Sequence, residues 1–231
     1  MTVQSVTGQV THEGLWSNLI GHDDVLPQLI RAARAAGGTL DEPSIAAMTH
    51  AWLFTGPPGS GRSVAALALA GALECVDAGC GTCSSCALAA AGNHPDIEHV
   101  VPTAVMYRAE EVRALAARAA MLPMLGSWRV IVVEDADRLN DSSANALLKA
   151  VEEPAARTVW MLCAPSAADV LPTIASRCRL VHMGTPPIDV VAGELVRRYA
   201  VDEAMALWAA RAAQGHVGRA DALVRDEHTR S

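Results

Sequence analysis

Aromatic residues are scarce in this 231-residue chain, which has five tryptophans, two tyrosines and one phenylalanine. A nucleic-acid surface built on interleaved stacking rings is therefore not expected. Positive charge is short too. The net charge of −7 argues against a broad DNA-coating surface and leaves room only for a local basic patch. No run approaches 18 apolar residues, so no transmembrane helix and no membrane partner are expected. Met1-Thr-Val-Gln-Ser5 carries no basic stretch followed by an apolar one, as a secretory signal would. The cytoplasmic compartment is the expectation. There, six cysteines point to metal or plain thiols more than to disulfides.

Aliphatic residues are plentiful. The chain is 51% hydrophobic and can build a core mainly from Ala, Val and Leu. Residues 1–15 read as polar and irregular. Asp23 or Asp24 is placed to cap a helix that Gly37-Gly38 stops after Ala36. Apolar runs at 51–55, 97–101, 128–133, 158–164 and 180–183 predict strands. Helices are expected over 62–75, up to Ala91, over 109–121, and over 144–152 with Asp141 or Ser142 as cap. Strand–helix alternation implies a parallel sheet covered on both faces. After Pro186-Pro187 only helices are expected, at about 188–200, 202–214 and 217–227. The fold reading is thus α/β: a P-loop nucleotide-binding-type domain over residues 1–184, then a small all-helical domain over 185–231.

The first strand runs into Gly56-Pro57-Pro58-Gly59-Ser60-Gly61-Arg62-Ser63. This is the G-x-x-x-x-G-K-[ST] phosphate-binding loop with Arg62 where Lys belongs. Its glycines allow amides to turn inward around phosphate oxygens, and the following helix points its positive end at them. Lys reaches the β/γ phosphates as a compact charge, whereas Arg is a planar fork on a longer stem. The third strand ends in Glu134-Asp135, where P-loop ATPases hold Mg²⁺ and orient the attacking water. The alternative reading is a plain strand-terminal acidic pair, with Asp137 and Arg138 solvating the turn.

Cys75, Cys80, Cys83 and Cys86 fall within twelve residues. Such thiolates can wrap one tetrahedral Zn²⁺, with every position filled by protein and none left open for catalysis. An iron–sulfur cluster is the rival reading. Cys163 and Cys178 read as small apolar residues, and His94 as a turn residue. The tryptophans share no face and read as core or boundary packing. Ser176-Arg177-Cys178 alone would read as a surface arginine before a strand.

Taken in order, the P-loop, the four-cysteine insertion, Asn145-Ala-Leu-Leu-Lys-Ala-Val-Glu-Glu-Pro154 and Ser176-Arg-Cys178 resemble the bacterial clamp-loader subunits of DNA polymerase III, which are AAA+ proteins. The resemblance covers nearly all of residues 16–228. It implies an AAA+ domain with an inserted zinc module at 75–86, followed by a helical lid. Within the family two branches are close. Gamma/tau is an ATPase with an intact P-loop Lys and an Asp-Glu pair. Delta-prime lacks these features, as this chain does. Pro165, in the first sensor segment, also departs from the ATPase pattern, and in the second the family's arginine falls on Gly218 or Arg219, depending on a one-residue shift.

The resemblance to delta-prime implies little or no ATPase of its own and weak binding of ATP/Mg²⁺. It implies Arg177 as an arginine finger donated in trans, with Ser176 and Cys178 beside it, and Glu134 and Asp135 as degenerate Mg²⁺ and water acids. The implied partners are gamma/tau and delta subunits and, through the complex, the sliding clamp and primer-template DNA. A third, helical collar domain would lie beyond residue 231. Three other readings remain open: a gamma/tau-type ATPase, a zinc-dependent nucleic-acid binder, and a small-molecule P-loop kinase.

Overall fold

The computed structural model describes residues 13–37 and 48–230. The irregular segment expected at the N-terminus lies outside the described residues up to position 12, as does Gly38. A short 3-10 turn at Gly14–Asn18 leads to helix α1, Leu26–Ala36. Strand β1, Ala51–Thr55, enters the P-loop, and α2, Arg62–Leu73, leaves it. The cysteine-rich segment ends in α3, Ser84–Ala90. Then come β2 (Ile97–Val100), α4 (Ala109–Ala119), β3 (Arg129–Val133), α5 (Asp141–Glu152) and β4 (Thr158–Ala164). The one-turn α6, Pro172–Ala175, precedes β5, Arg179–His182. Three helices follow: α7 (Ile188–Tyr199), α8 (Glu203–Ala212) and α9 (Val217–Arg230).

The five strands form one parallel sheet in the order β2-β3-β4-β1-β5. Every residue of β1 and β4 is buried, as expected of central parallel strands covered on both faces. Successive side chains point to opposite faces, so each strand feeds two cores. Trp52, Phe54, Val130, Val132 and Met161 meet Leu29 of α1 and Leu69 of α2. Leu53, Ile131, Val133, Trp160 and Leu162 meet Leu115 of α4 and Leu147 of α5 on the other face. Each such leucine, fully buried, contributes about 2 kcal/mol. A third cluster joins α7, α8 and α9 through Val191, Leu195, Ala206, Ala210 and Val224.

Two local expectations need correction. Neither Asp23 nor Asp24 caps α1. The cap position is Val25, which makes no side-chain cap bond, and the helix relies instead on a proline in its first turn. The cap of α5 is Asn140, not Asp141 or Ser142. Its side-chain oxygen accepts from Ser143 N while the Ser143 hydroxyl serves the Asn140 amide.

Candidate functional site

The P-loop backbone has the shape its glycines predict. Gly59 and Gly61 have φ of 87° and 85°, a region that side chains with a Cβ avoid. Gly61 is the cap of α2, so the first amides of that helix point at the loop without an intrahelical acceptor. These residues fit a phosphate group. The loop lines one wall of a cavity of about 480 Å³, with Leu19, His22, Pro186, His216 and Gly218 opposite. The His216 ring sits over Gly59, where an added Cβ would come within 2.4 Å of it. Of the two second-sensor candidates, Gly218 lines the cavity and Arg219 is exposed. Pro165 meets the loop through its carbonyl, which accepts from Gly56 N at 3.1 Å.

Most polar side chains of this site pair with one another, although Ser60 Oγ and Arg62 Nε are buried without a partner. The Arg62 guanidinium donates to the Gly56 carbonyl at 2.7 Å and lies 3.5 Å from the Asp135 carboxylate. It therefore folds back on its own loop. The Ser63 hydroxyl donates to Glu134 Oε2 at 2.7 Å, and His99 Nε2 lies 3.0 Å from Glu134 Oε1. Burial would raise the Glu134 pKa, but His99, Ser63 and Arg62 outweigh it and hold the carboxyl below its usual range. Asp135 sits at φ 47° and also pairs with Arg138 at 3.2 Å. Here Glu134 faces Ser63, and Asp135 faces Arg62.

Sequence reasoning missed the three histidines, His22, His99 and His216. His22 Nε2 lies 2.6 Å from the Ser60 carbonyl. His99 shows its role only once β2 is known to lie beside β3, with His99 in register with Val132.

The four cysteines converge. Their sulfurs lie within 4.8 Å of one another, with separations of 3.6 Å for Cys75–Cys80, 3.8 Å for Cys75–Cys83 and 4.0 Å for Cys80–Cys86. Zn–S bonds of ~2.3 Å at tetrahedral angles put sulfurs about 3.8 Å apart, so the set fits zinc. The amides of Cys80 and Cys86 donate to Cys75 Sγ and Cys83 Sγ at 3.4 Å, which favours thiolate. The Thr82 hydroxyl, then backbone amides, lower the Cys80 pKa to about 6. The N-terminal turn staples the module down: Trp16 Nε1 donates to the Ala78 carbonyl at 2.9 Å and Leu15 N to Gly79 at 3.1 Å.

Next to Cys75 lies a second polar cluster, Glu74, His94 and Asp96, buried throughout. Asp96 accepts from the amides of Met124, Leu125 and Gly126 at 2.6, 2.7 and 2.8 Å. Burial works against ionisation, yet these amides hold its carboxyl below the usual range. Burial pushes Glu74 up to about 7. His94 Nδ1 accepts from Asp96 N at 3.2 Å, so Nε2 carries the ring proton. A metal-ligating histidine donates its other N–H; here the other nitrogen accepts. The cluster is thus a polar strut tying α2, β2 and the loop before β3 together. His94 is the turn residue its sequence suggests.

Arg177 follows α6, and Cys178 packs against the second core, where burial pushes its thiol up to about 12. The Arg177 side chain is 40% exposed. NH2 lies 2.6 Å from Glu152 Oε1, an exposed carboxylate, and NH1 donates to the Thr173 carbonyl at 2.6 Å. β5 is an edge of the sheet, and Arg179 is in register with Trp52. Arg177 therefore lies level with the start of β1, while the P-loop follows its far end. At roughly 3.3 Å per residue, about 20 Å separates Arg177 from its own P-loop along the strand direction.

The sheet order, the P-loop after β1 and the acidic end of β3 define a P-loop protein with an AAA+-type fold. The Thermotoga maritima RuvB Holliday junction branch migration motor superposes with a TM-score of 0.58 at 16% identity, over 87% of this chain and 59% of that one. A family model described as DNA polymerase III, delta subunit, matches residues 42–187, and the chain belongs to that DNA polymerase III delta-prime family. The delta-prime subunit of Pseudomonas aeruginosa is 38% identical over 135 residues, 56% of this chain and 41% of that protein. That of Escherichia coli is 34% identical over 185 residues, 78% of this chain and 55% of that protein. A gamma/tau subunit of Mycobacterium bovis is also 35% identical over 135 residues, 56% of this chain and 23% of that protein. The chain spans about half the length of the delta-prime relatives it matches.

Proposed function

We propose that this chain acts as the stationary AAA+ partner in a DNA polymerase III clamp loader. It completes a neighbouring subunit's ATPase site with Arg177 and helps load the sliding clamp on primed DNA. The observation that carries this is the position of Arg177. It is exposed at the start of an edge strand, at the opposite end of the sheet from its own P-loop. A guanidinium there is out of reach of its own P-loop and is open to another molecule's nucleotide. Facing a neighbour's γ-phosphate, it would offset the charge that develops there, an effect worth roughly 10³–10⁵ in rate. Gamma/tau and delta are the proposed neighbours.

Its own P-loop is proposed to bind nucleotide weakly and to hydrolyse almost none. ATP with Mg²⁺ would supply the phosphoanhydride. The loop amides and Ser63 would hold the phosphates, with Glu134 and Asp135 at the cation side. The internal bonds of Arg62 and Ser63 compete with that role. Zn²⁺ is proposed as a structural ion on Cys75, Cys80, Cys83 and Cys86. The lid is proposed to be residues 185–231, behind an AAA+ domain over 1–184.

The test is ATPase and clamp loading by natural full-length protein reconstituted with gamma/tau, delta, clamp and primed DNA. Arg177→Ala should abolish most DNA-stimulated turnover. Unchanged turnover would sink the trans-finger role. The gamma/tau match supports one second reading, an ATPase in its own right. Mg²⁺-dependent turnover by the isolated protein that vanishes in Glu134→Gln would favour it.

A further inference from the structure

We propose that Glu152 is a positioning residue for Arg177, parking the guanidinium against α5 until a neighbour's phosphate displaces the carboxylate. The inference rests on the reading of Arg177 as a trans finger. It also gives a place to a motif that reading leaves unused. Glu152 belongs to Asn145-Ala-Leu-Leu-Lys-Ala-Val-Glu-Glu-Pro154, and Arg177 to Ser176-Arg-Cys178. The two are distant in sequence, and the fold brings them to a charge-assisted contact of 2.6 Å.

The contact uses the face of the guanidinium that a phosphate would need. NH2 is taken by Glu152 Oε1, and NH1 by the Thr173 carbonyl at 2.6 Å with Ser176 Oγ at 3.4 Å. Both terminal nitrogens of the fork are therefore engaged, and an anion that takes the fork end-on must compete with at least one acceptor. Glu152 is the last residue of α5, so the negative end of that helix adds to its hold on the cation. A carboxylate left beside an arriving phosphate would repel it. Parking and end-on docking thus compete for this side chain.

The pair is made for release. Glu152 is 38% exposed and Arg177 is 40% exposed, and pairs in such surroundings are weak. A multiply charged phosphate outcompetes a single carboxylate for the same fork. The latch then changes how readily the finger engages without changing what it does once engaged.

The experiment again uses natural full-length protein with gamma/tau, delta, clamp and primed DNA, titrating this subunit. Glu152→Gln removes the charge and keeps the shape. Stimulated ATPase at subsaturating subunit should rise about two- to fivefold, the range set by exposed ion pairs, while the rate at saturation stays unchanged. Glu152→Asp should behave as the natural protein. In an Arg177→Ala background, Glu152→Gln should have no effect, because the latch would have nothing to hold. A merely structural Glu152 would not give that dependence. A fall in the saturating rate would mean that Glu152 holds the finger in its working pose. Equal titration curves would mean an idle pair. Either result overturns the latch and leaves the finger standing. Unchanged turnover in Arg177→Ala alone overturns the finger itself.

Discussion

The cysteine module and the P-loop are both shaped for an ion or ligand, yet they treat their polar groups in opposite ways. In the module, four sulfurs lie within 4.8 Å of one another, with three of the pairs at 3.6–4.0 Å. The P-loop has turned its groups on itself: Arg62 on the Gly56 carbonyl, Ser63 on Glu134, and His99 on the same carboxylate. A motif on its own specifies only which atoms come together. Whether a ligand is needed depends on whether those atoms find partners without it. The module is incomplete on its own terms. The P-loop site is nearly complete.

The largest expected effect tests the incomplete side. Elemental analysis should give one zinc per chain, and Cys83→Ser should lose it. Hydrogen exchange should then rise over residues 75–92, while β1 and β4 remain protected. The local cost should be on the order of several kcal/mol, since a structural zinc site draws its folding energy from the metal. Reduced, carefully purified protein that holds no zinc would end this half of the contrast.

The next effect tests the completed side. Glu134→Gln keeps the shape but removes the charge that Ser63 and His99 share, and should cost about 1–2 kcal/mol. The Glu134 carboxyl lies below its usual range in the folded state. Its contribution is therefore fully present above the unfolded carboxylate pKa of about 4.3 and is lost as pH falls through the folded value. The Gln variant should be less stable than the natural chain at pH 7 and should converge with it only once the pH has fallen below the lowered folded value. Parallel pH–stability curves would show that Glu134 carries no such linkage.

The sheet was legible from sequence because its strands are short apolar runs set between turn residues, and all five strands fall within one or two residues of their expected bounds. The convergence of the four cysteines was legible because their close spacing lets one short segment bring four thiols to a common centre. The histidines were not. His99 reaches Glu134 only through the β2–β3 neighbour relation, and His216 reaches the P-loop only because α9 folds back over it. The helix caps failed for a smaller reason. Asn140, Asp141 and Ser142 are all good caps, and only the backbone turn decides among them.

A smaller effect should come from Arg62→Lys. A lysine cannot fork between the Gly56 carbonyl and Asp135, so its charge should point outward along the loop. Nucleotide affinity should rise about tenfold, or roughly 1.4 kcal/mol. Calorimetry that shows no gain would locate the block elsewhere, with His216 over Gly59 as the next suspect.

The smallest effect in the isolated chain should be that of Arg177→Ala, and its smallness sharpens the contrast. Arg177 is neither an incomplete centre nor part of a closed one. Its carboxylate partner is exposed, and its other acceptor is a carbonyl one turn back. An exposed pair contributes little once side-chain ordering is counted against it. The stability change should stay within about 0.5 kcal/mol, and Cys178 should still anchor the segment in the second core. Thermal melts of the isolated chain check this directly. A loss of several degrees would mark Arg177 as a residue the fold depends on. A flat result beside a large loss of stimulated ATPase in the reconstituted loader would separate the two roles. A residue that the chain does not need for its own structure, yet holds at an exposed edge, is then explained by what docks there.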